Sequence, residues 1–237
     1  MKNKITILGV LILALMSVIF TSCENETTAG FTRITYYPIL EMQGDAVIIL
    51  DKGASFNDPG AIAELNGEDI SDQIEVISDL NTNEPGIYHI TYSAINEDGF
   101  SVSATRTIYV ADPTPSIIAS GMHLVADGTH RVNTNNGAIT NYSGYYIIIL
   151  QVEPGVFYIS DFLAGYYDQH VGYGSNYAMT GHFQLNEDNS ITPIDSFVAG
   201  WGDSMDDMSA SAVDPETGQI TYSLSYAGFL DFNVIIN

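Results

Sequence analysis

The chain has 237 residues, of which 29 are Asp or Glu and only six Lys or Arg, giving a formal charge of -23 at neutral pH. A phosphate backbone requires cationic neutralisation, so a field of this sign excludes nucleic acid as a natural partner and disfavours anionic polysaccharides. One cysteine excludes an internal disulfide framework, and 15 tyrosines and 21 glycines against three lysines favour strand over helix.

Lys2 and Lys4 precede the apolar run ITILGVLILALMSVIF, which ends in TSC. This is the layout of a charged n-region, an h-region and a small-residue cleavage site, predicting a signal peptide over residues 1-22. The run is short against the roughly 20 apolar residues of a membrane span. Cleavage leaves Cys23 first in the mature chain. FTSC resembles the lipobox of bacterial lipoproteins, with Phe20 where leucine is commoner. The resemblance implies acylation of Cys23 and attachment to a membrane through a lipid anchor; several acyl chains at about 0.8 kcal/mol per methylene hold firmly. Glu24 and Glu26 in CENETT resemble the tag by which Bacteroidetes export lipoproteins to the outer face of the outer membrane. A solvated tether is the alternative, and residues 23-35 act as a tether in either case. In the mature chain four basic side chains face all 29 acids, so the formal charge moves to 4 - 29 = -25.

Length and the absence of sustained helical periodicity predict an all-β chain of two domains. In the first, TYYPIL and AVIIL read as strands, and DISDQIEVISDL as loop and strand. GIYHITYSA places Tyr88, Ile90, Tyr92 and Ala94 on one face and His89, Thr91 and Ser93 on the other. NEDGF supplies a hairpin turn, and SVSATRTIYV returns with Val102, Ala104, Ile108 and Val110 in register. Arg106 falls on that apolar side, and its head is expected to snorkel to an edge. The order FNDPGA, DIS, EPGIYHITYSAINEDGFSVSATRTIYV resembles the bacterial immunoglobulin-like domains, related to HYR and cadherin-like modules, of cell-surface lipoproteins. The resemblance covers residues 36-112 and implies a seven-strand sandwich of spacer or adhesion type.

ADPTPS, with two prolines in four residues, predicts a short extended linker. Beyond it, YYIIILQV, VFYISDF, AMTGHFQL, ITPIDSFVAG, GQITYSLSY and FLDFNVII read as strands joined by EPG, NEDNS and DPETG turns. They predict a C-terminal antiparallel β-sandwich or barrel over residues 116-237, with no helix required. The combination of a lipobox, an immunoglobulin-like domain and a β-domain carrying YISDFLAGYYDQHVGYG and GWGDS looks like a group of Bacteroidetes lipoproteins associated with polysaccharide-utilisation systems. In such systems glycan-binding lipoproteins accompany a TonB-dependent transporter.

The candidate site is GYYDQHVGYG. A neutral sugar offers an apolar C-H face and a rim of hydroxyls, so its receptor needs flat aromatics and polar side chains together. Tyr166, Tyr167, Tyr173 and Tyr177 supply the aromatics; Asp168, Gln169, His170 and Asn176 supply the rim, and Trp201 with Asp203 in GWGDS joins them. Glycines and tyrosines at strand ends also serve turns and sheet packing, so packing stands beside binding as a reading of these residues. The expected ligand is a neutral oligo- or polysaccharide, and the competing class is a structural or adhesion protein that binds other proteins.

No enzyme activity is expected. Asp161, Asp168, Asp195 and Asp203 could form a glycosidase pair, but the separation of about 5 to 9.5 Å that this requires is not readable from sequence. His89, His123, His130, His170 and His182 lack the short paired spacings of zinc sites. No cofactor is expected, although calcium has candidate oxygen ligands in NEDGF, NEDNS and DSMDD.

Overall fold

The computed structural model describes residues 34-237; the signal peptide, Cys23 and the acidic tag lie outside the described residues. Every regular element of more than five described residues is a strand. Alternating apolar residues need a second layer to cover their inner face, and the chain supplies two such sandwiches in succession.

The first holds seven strands. β1 (Ile39–Met42), β3 (Ala61–Leu65) and β4 (Glu68–Asp69) form one antiparallel sheet in the order β1-β3-β4. The other sheet runs β2 (Val47–Asp51), β7 (Ser101–Ala111), β6 (Gly86–Ile95), β5 (Glu75–Ser78), with β2 parallel to β7 and the other pairs antiparallel. The segment 71-78 is a single 3-10 turn followed by β5, as its mixed periodicity predicts. Ile90, Tyr92, Ile108 and Val110 make the core between the sheets. In the β6–β7 hairpin the Asn96 side chain accepts the amides of Asp98 and Phe100, and Gly99 takes the positive φ of 87° that the turn requires.

Arg106 corrects the expectation from sequence. It lies on the apolar face of β7 but does not reach an edge: its side chain has no exposure. Its Nε lies 3.3 Å from Asp58 and donates to the Tyr92 hydroxyl at 3.2 Å, while Tyr92 in turn donates to Asp58. The remaining guanidinium nitrogens donate to the carbonyls of Asp45, Gln43 and Gly60. The charge stays inside because one carboxylate and three carbonyls satisfy the fork that snorkelling would otherwise bring to water. The same contacts tie the β1–β2 connection and the 58-60 turn to β7.

The second sandwich packs two five-stranded antiparallel sheets. One runs β14 (Ile191–Val198), β13 (Met179–Leu185), β12 (Val156–Ile159), β11 (Tyr146–Glu153), β8 (Gly121–Leu124). The other runs β10 (Ala138–Asn141), β9 (His130–Asn133), β17 (Leu230–Ile236), β16 (Ile220–Tyr226), β15 (Asp207–Val213). The core between them includes Ile149, Phe157, Phe162, Phe183, Leu224 and Phe232. Phe157 and Phe183, paired across β12 and β13, stack at 5.3 Å. Complete burial of such a side chain contributes about 1.5–3 kcal/mol.

Three of the four strands of this second sandwich that the reading by alternation omits, β8, β9 and β10, have only four residues each, too short for a period of two to stand out. β15 is rich in Ser and Ala, which carry little pattern.

Residues Tyr37–Asn237 form one compact unit. After β7 the chain runs along β11, and the buried Gln151 holds it there. The Gln151 carbonyl accepts the Asp112 amide at 2.7 Å, its own amide N–H donates to Ser120, and its side chain donates to the carbonyl of Thr114 at 2.9 Å.

Candidate ligand-binding platform

The loop after β12 is built on a buried carboxylate. Asp161 accepts the amide N–H groups of Leu163, Gly165 and Met179, each at 2.8 Å. Burial pushes its pKa up to about 6, against the lowering effect of those three donors. Two tyrosine hydroxyls complete the anchoring: Tyr222 donates to the Phe162 carbonyl at 2.8 Å, and Tyr142 to that of Leu163 at 2.9 Å. Ala164 and Gly165 then take positive φ in succession, 53° and 77°, and turn the chain outward.

The turn that follows, Tyr166–His170, is a wide π-type turn in which Val171 donates to the Tyr166 carbonyl at 2.9 Å. Successive side chains fan around it and so separate the residues that the sequence places together. Tyr166 points inward and is 5% exposed, its ring against Tyr142 and Phe232. The Gln169 side chain bonds the backbone of Tyr146, donating at 2.8 Å, and extends the start of β11. His170 Nδ1 lies 3.1 Å from the Tyr145 hydroxyl. Asp168 stays half-buried, and its carbonyl accepts the Gly174 amide.

Tyr167 goes the other way and meets Trp201. The Trp201 turn is closed by the Val198 carbonyl, which accepts the amides of Trp201 and Gly202, and it rests on the 3-10 turn Ser175–Tyr177 through a bond from the Gly200 amide to the Asn176 carbonyl. Gly200 is required by this approach, because a Cβ there would lie 2.6 Å from the Tyr177 ring. Trp201 thereby sits 4.7 Å from Tyr167, 4.8 Å from Tyr177, 6.3 Å from Tyr173 and 6.3 Å from Tyr226, measured between ring centroids. Tyr173 lies parallel to Tyr167. Tyr173 and Trp201, 56% and 42% exposed, give the cluster its open face. Asp203 stands beside it, accepting the Tyr226 hydroxyl at 2.8 Å. Burial first, and that bond second, push the Tyr226 hydroxyl pKa well up, so it remains a donor.

Of the ten residues singled out in the sequence, Tyr167, Tyr173, Tyr177, Trp201 and Asp203 are brought together, and Asn176 supports them through its carbonyl. Tyr166 belongs to the core, and Gln169 and His170 face Tyr145 and Tyr146 instead. Tyr226 and Arg131 were missed. Tyr226 is the last inward residue of the alternating ITYSLSY, a pattern that gives its face but not its neighbours. Arg131 places its guanidinium 4.7 Å from the Tyr166 ring centre, a cation–π contact, with Nε buried and without a hydrogen-bond partner among the described residues. Its rarity in so acidic a chain was the available signal. Burial raises the Tyr167 hydroxyl pKa, and Arg131 holds that rise back.

Of the loop carboxylates considered for calcium, Asp188 accepts from the Ser190 amide and hydroxyl within its own turn, and Asp206 accepts the Gly228 amide of the β16–β17 turn. Among the described residues no group of three or more His, Cys, Asp or Glu is arranged to hold a metal ion. No described helix is long and apolar enough to cross a membrane.

A bacterial surface protein, Ig-like domain model matches residues 40–110, and a C-terminal domain family model matches residues 112–237. No curated protein sequence matches the chain. The crystal structure of the lipoprotein BT2262 from Bacteroides thetaiotaomicron is similar at 50% identity and a TM-score of 0.75, covering 85% of this chain and 100% of that one. Two structures containing domains of Clostridium perfringens ZmpB are far more distant. One, the M60 catalytic domain with CBM51-1 and CBM51-2, has 17% identity and a TM-score of 0.28 over 54% of this chain and 15% of that one. The other, CBM51-2 with GlcNAc and the INT domains, has 19% identity and a TM-score of 0.26 over 51% and 31%. Likenesses this low carry nothing over to the present chain. The identity and coverage shared with BT2262 are of another order, and on them the chain belongs to the family of that Bacteroides lipoprotein: surface lipoproteins in which a bacterial immunoglobulin-like domain precedes a C-terminal β-sandwich.

Proposed function

We propose that this surface lipoprotein is a non-enzymatic receptor for a neutral glycan, bound at the Trp201 platform of the C-terminal sandwich. Acylation of Cys23 would tether it to the outer membrane facing the cell exterior, with the immunoglobulin-like domain as spacer. The observation that carries the reading is the exposed face of Trp201 and Tyr173, backed by Tyr167, Tyr177 and Tyr226 and flanked by the Asp203 carboxylate. Aromatic rings held in place by other rings lose little freedom when a sugar ring stacks on them, and the strongly acidic surface favours an uncharged ligand. Asp168, half-buried on the loop that carries Tyr167, is a further candidate for the polar rim.

The test is a glycan array probed with residues 24-237, with Trp201→Ala and Tyr173→Ala variants, with and without calcium. Binding to a defined neutral glycan that either substitution weakens at least about tenfold, while the fold survives, supports the reading. Binding untouched by both substitutions, or absent across a broad array, overturns it.

A second reading, an accessory subunit of a TonB-dependent transporter complex, is favoured by a different surface. The outer face of the β8–β11–β14 sheet exposes Met122, Leu124, Tyr146 and Phe197. Leu124 pairs with Tyr146 and Met122 with Ile148 across the β8–β11 ladder, so Met122, Leu124 and Tyr146 adjoin, while Phe197 stands on the opposite edge strand. Copurification of a transporter from outer membranes without glycan, lost on Met122→Glu, would favour this reading.

A further inference from the structure

The outer face of the same sheet carries a second concentration of polar chemistry that the Trp201 platform does not use. One cross-strand row runs Leu150, Tyr158, His182, Asp195. Leu150 points away from the C-terminal core yet has no exposure, because the first sandwich comes down over it: Pro85, Gly86 and Ile87 face Leu150, Val152, Tyr158 and His182 across a crevice of 240 Å³.

The local structure that makes the row is specific. A bulge in β14 sets Pro193 opposite Phe183 and Asp195 opposite His182, leaving Ile194 as the extra residue. Gly181 permits the strands to close there, since a Cβ would lie 2.2 Å from the Asp195 carbonyl oxygen. Asp195 then accepts the His182 amide at 2.9 Å and lies 3.0 Å from its Nδ1. A carboxylate at Nδ1 keeps the proton on that nitrogen and leaves Nε2 of the neutral ring as an acceptor. Nε2 has no partner among the described residues. Neither has the Tyr158 hydroxyl, whose ring meets His182 edge-on at 5.7 Å. Burial, and after it the Asp161 charge, raise the pKa of that hydroxyl and keep it a donor.

We infer that this crevice between the two sandwiches is a second ligand site, taking a single hydroxylated ring of the size of one sugar unit. An acceptor and a donor lie unpartnered beside apolar walls at a domain junction, the arrangement expected of a small-molecule site. The volume falls below the roughly 300–1,000 Å³ of pockets for drug-sized ligands, which limits the occupant to one ring. His182 Nε2 accepts a ligand hydroxyl, Tyr158 donates to another, and Leu150, Val152 and Ile87 receive the C–H face. The site shares no residue with the platform, so its occupancy stands or falls separately.

The test follows the imidazole nitrogens of His182 by NMR in the full chain, labelled at histidine and held in detergent micelles. The probes are D-glucose, D-galactose, D-mannose and N-acetyl-D-glucosamine, each taken to about 10 mM. The expected result is a saturable shift of Nε2 with at least one sugar. Tyr158→Phe, which keeps the ring and removes only the hydroxyl, weakens it about fivefold, the worth of one neutral hydrogen bond. Trp201→Ala leaves it unchanged. No shift with any of the four sugars, or a shift that Trp201→Ala abolishes and Tyr158→Phe does not, overturns the inference; the second result would place the sugar on the platform instead.

Discussion

Trp201 meets Tyr167 edge to face, ring centroids 4.7 Å apart and planes at 85°, although the two arrive on different loops, one joining β12 to β13 and the other following β14. Such pairs add about 0.5–1.5 kcal/mol beyond their area. Here the pair also joins two separately anchored loops, one resting on Asp161 and the other on the Val198 carbonyl. The exposed face is therefore formed before any ligand arrives.

Trp201→Ala should lower unfolding free energy by about 2 kcal/mol, less than for a fully buried Trp because 42% of the residue is already in water. Urea denaturation should show a lower midpoint with an unchanged slope. A changed slope would mean that the loops collapse rather than merely lose one ring.

Gly200→Ala and Gly202→Ala should differ in kind. At Gly200 the added methyl meets the Tyr177 ring at 2.6 Å, so Tyr177 must leave Trp201. The expected cost is about 1–3 kcal/mol, with a change in tryptophan fluorescence. At Gly202 the space is open and only the positive φ of 74° is disfavoured, so about 1–2 kcal/mol should be lost with the emission maximum unmoved.

Asp161 makes stability depend on pH with a definite sign. Its folded pKa of about 6 lies above the ordinary 3.8, so the folded chain holds this proton more tightly than the unfolded one. Its contribution is complete below about pH 4 and is lost as pH rises through about 6, a change of about 3 kcal/mol. Asn at this position does not titrate. The stability difference between the native chain and Asp161→Asn should therefore favour the native chain more at pH 4 than at pH 7; a difference flat across that range would refute the assignment.

Asp58→Ala should be among the most damaging substitutions in the immunoglobulin-like domain. It leaves the guanidinium of Arg106 buried without its carboxylate and removes the acceptor of the Tyr92 hydroxyl. Asp58 is partly exposed, so water can partly compensate, and the loss should be about 3 kcal/mol. The double variant with Arg106→Met should recover part of it in chemical denaturation, since no unpaired charge then remains inside.

Chain-local signals account for what could be read in advance. Alternation in GIYHITYSA and SVSATRTIYV assigns faces because the side-chain period of a strand is two, and the NEDGF turn joins them because Asn96 and Gly99 supply the bonds and the positive φ themselves. The aromatic composition of the platform was visible for the same reason, one loop carrying Tyr167, Tyr173 and Tyr177. The split among neighbours was not. Tyr166 and Tyr167 are adjacent and chemically identical, and a π-type turn sends one into the core and the other to Trp201.

The sequence by itself determined an all-β chain and which residues could stack on a sugar, since these follow from local period, turn chemistry and composition, and the order of its motifs carried the resemblance that implies an immunoglobulin-like first half. Only the tertiary structure decided that Arg106 stays buried, that Tyr226 and Arg131 stand beside the aromatic loop, and that His182, held by Asp195, faces a crevice. Each of these depends on segments far apart in the chain being folded over one another, and a contact between strangers in sequence has no signature in either of them.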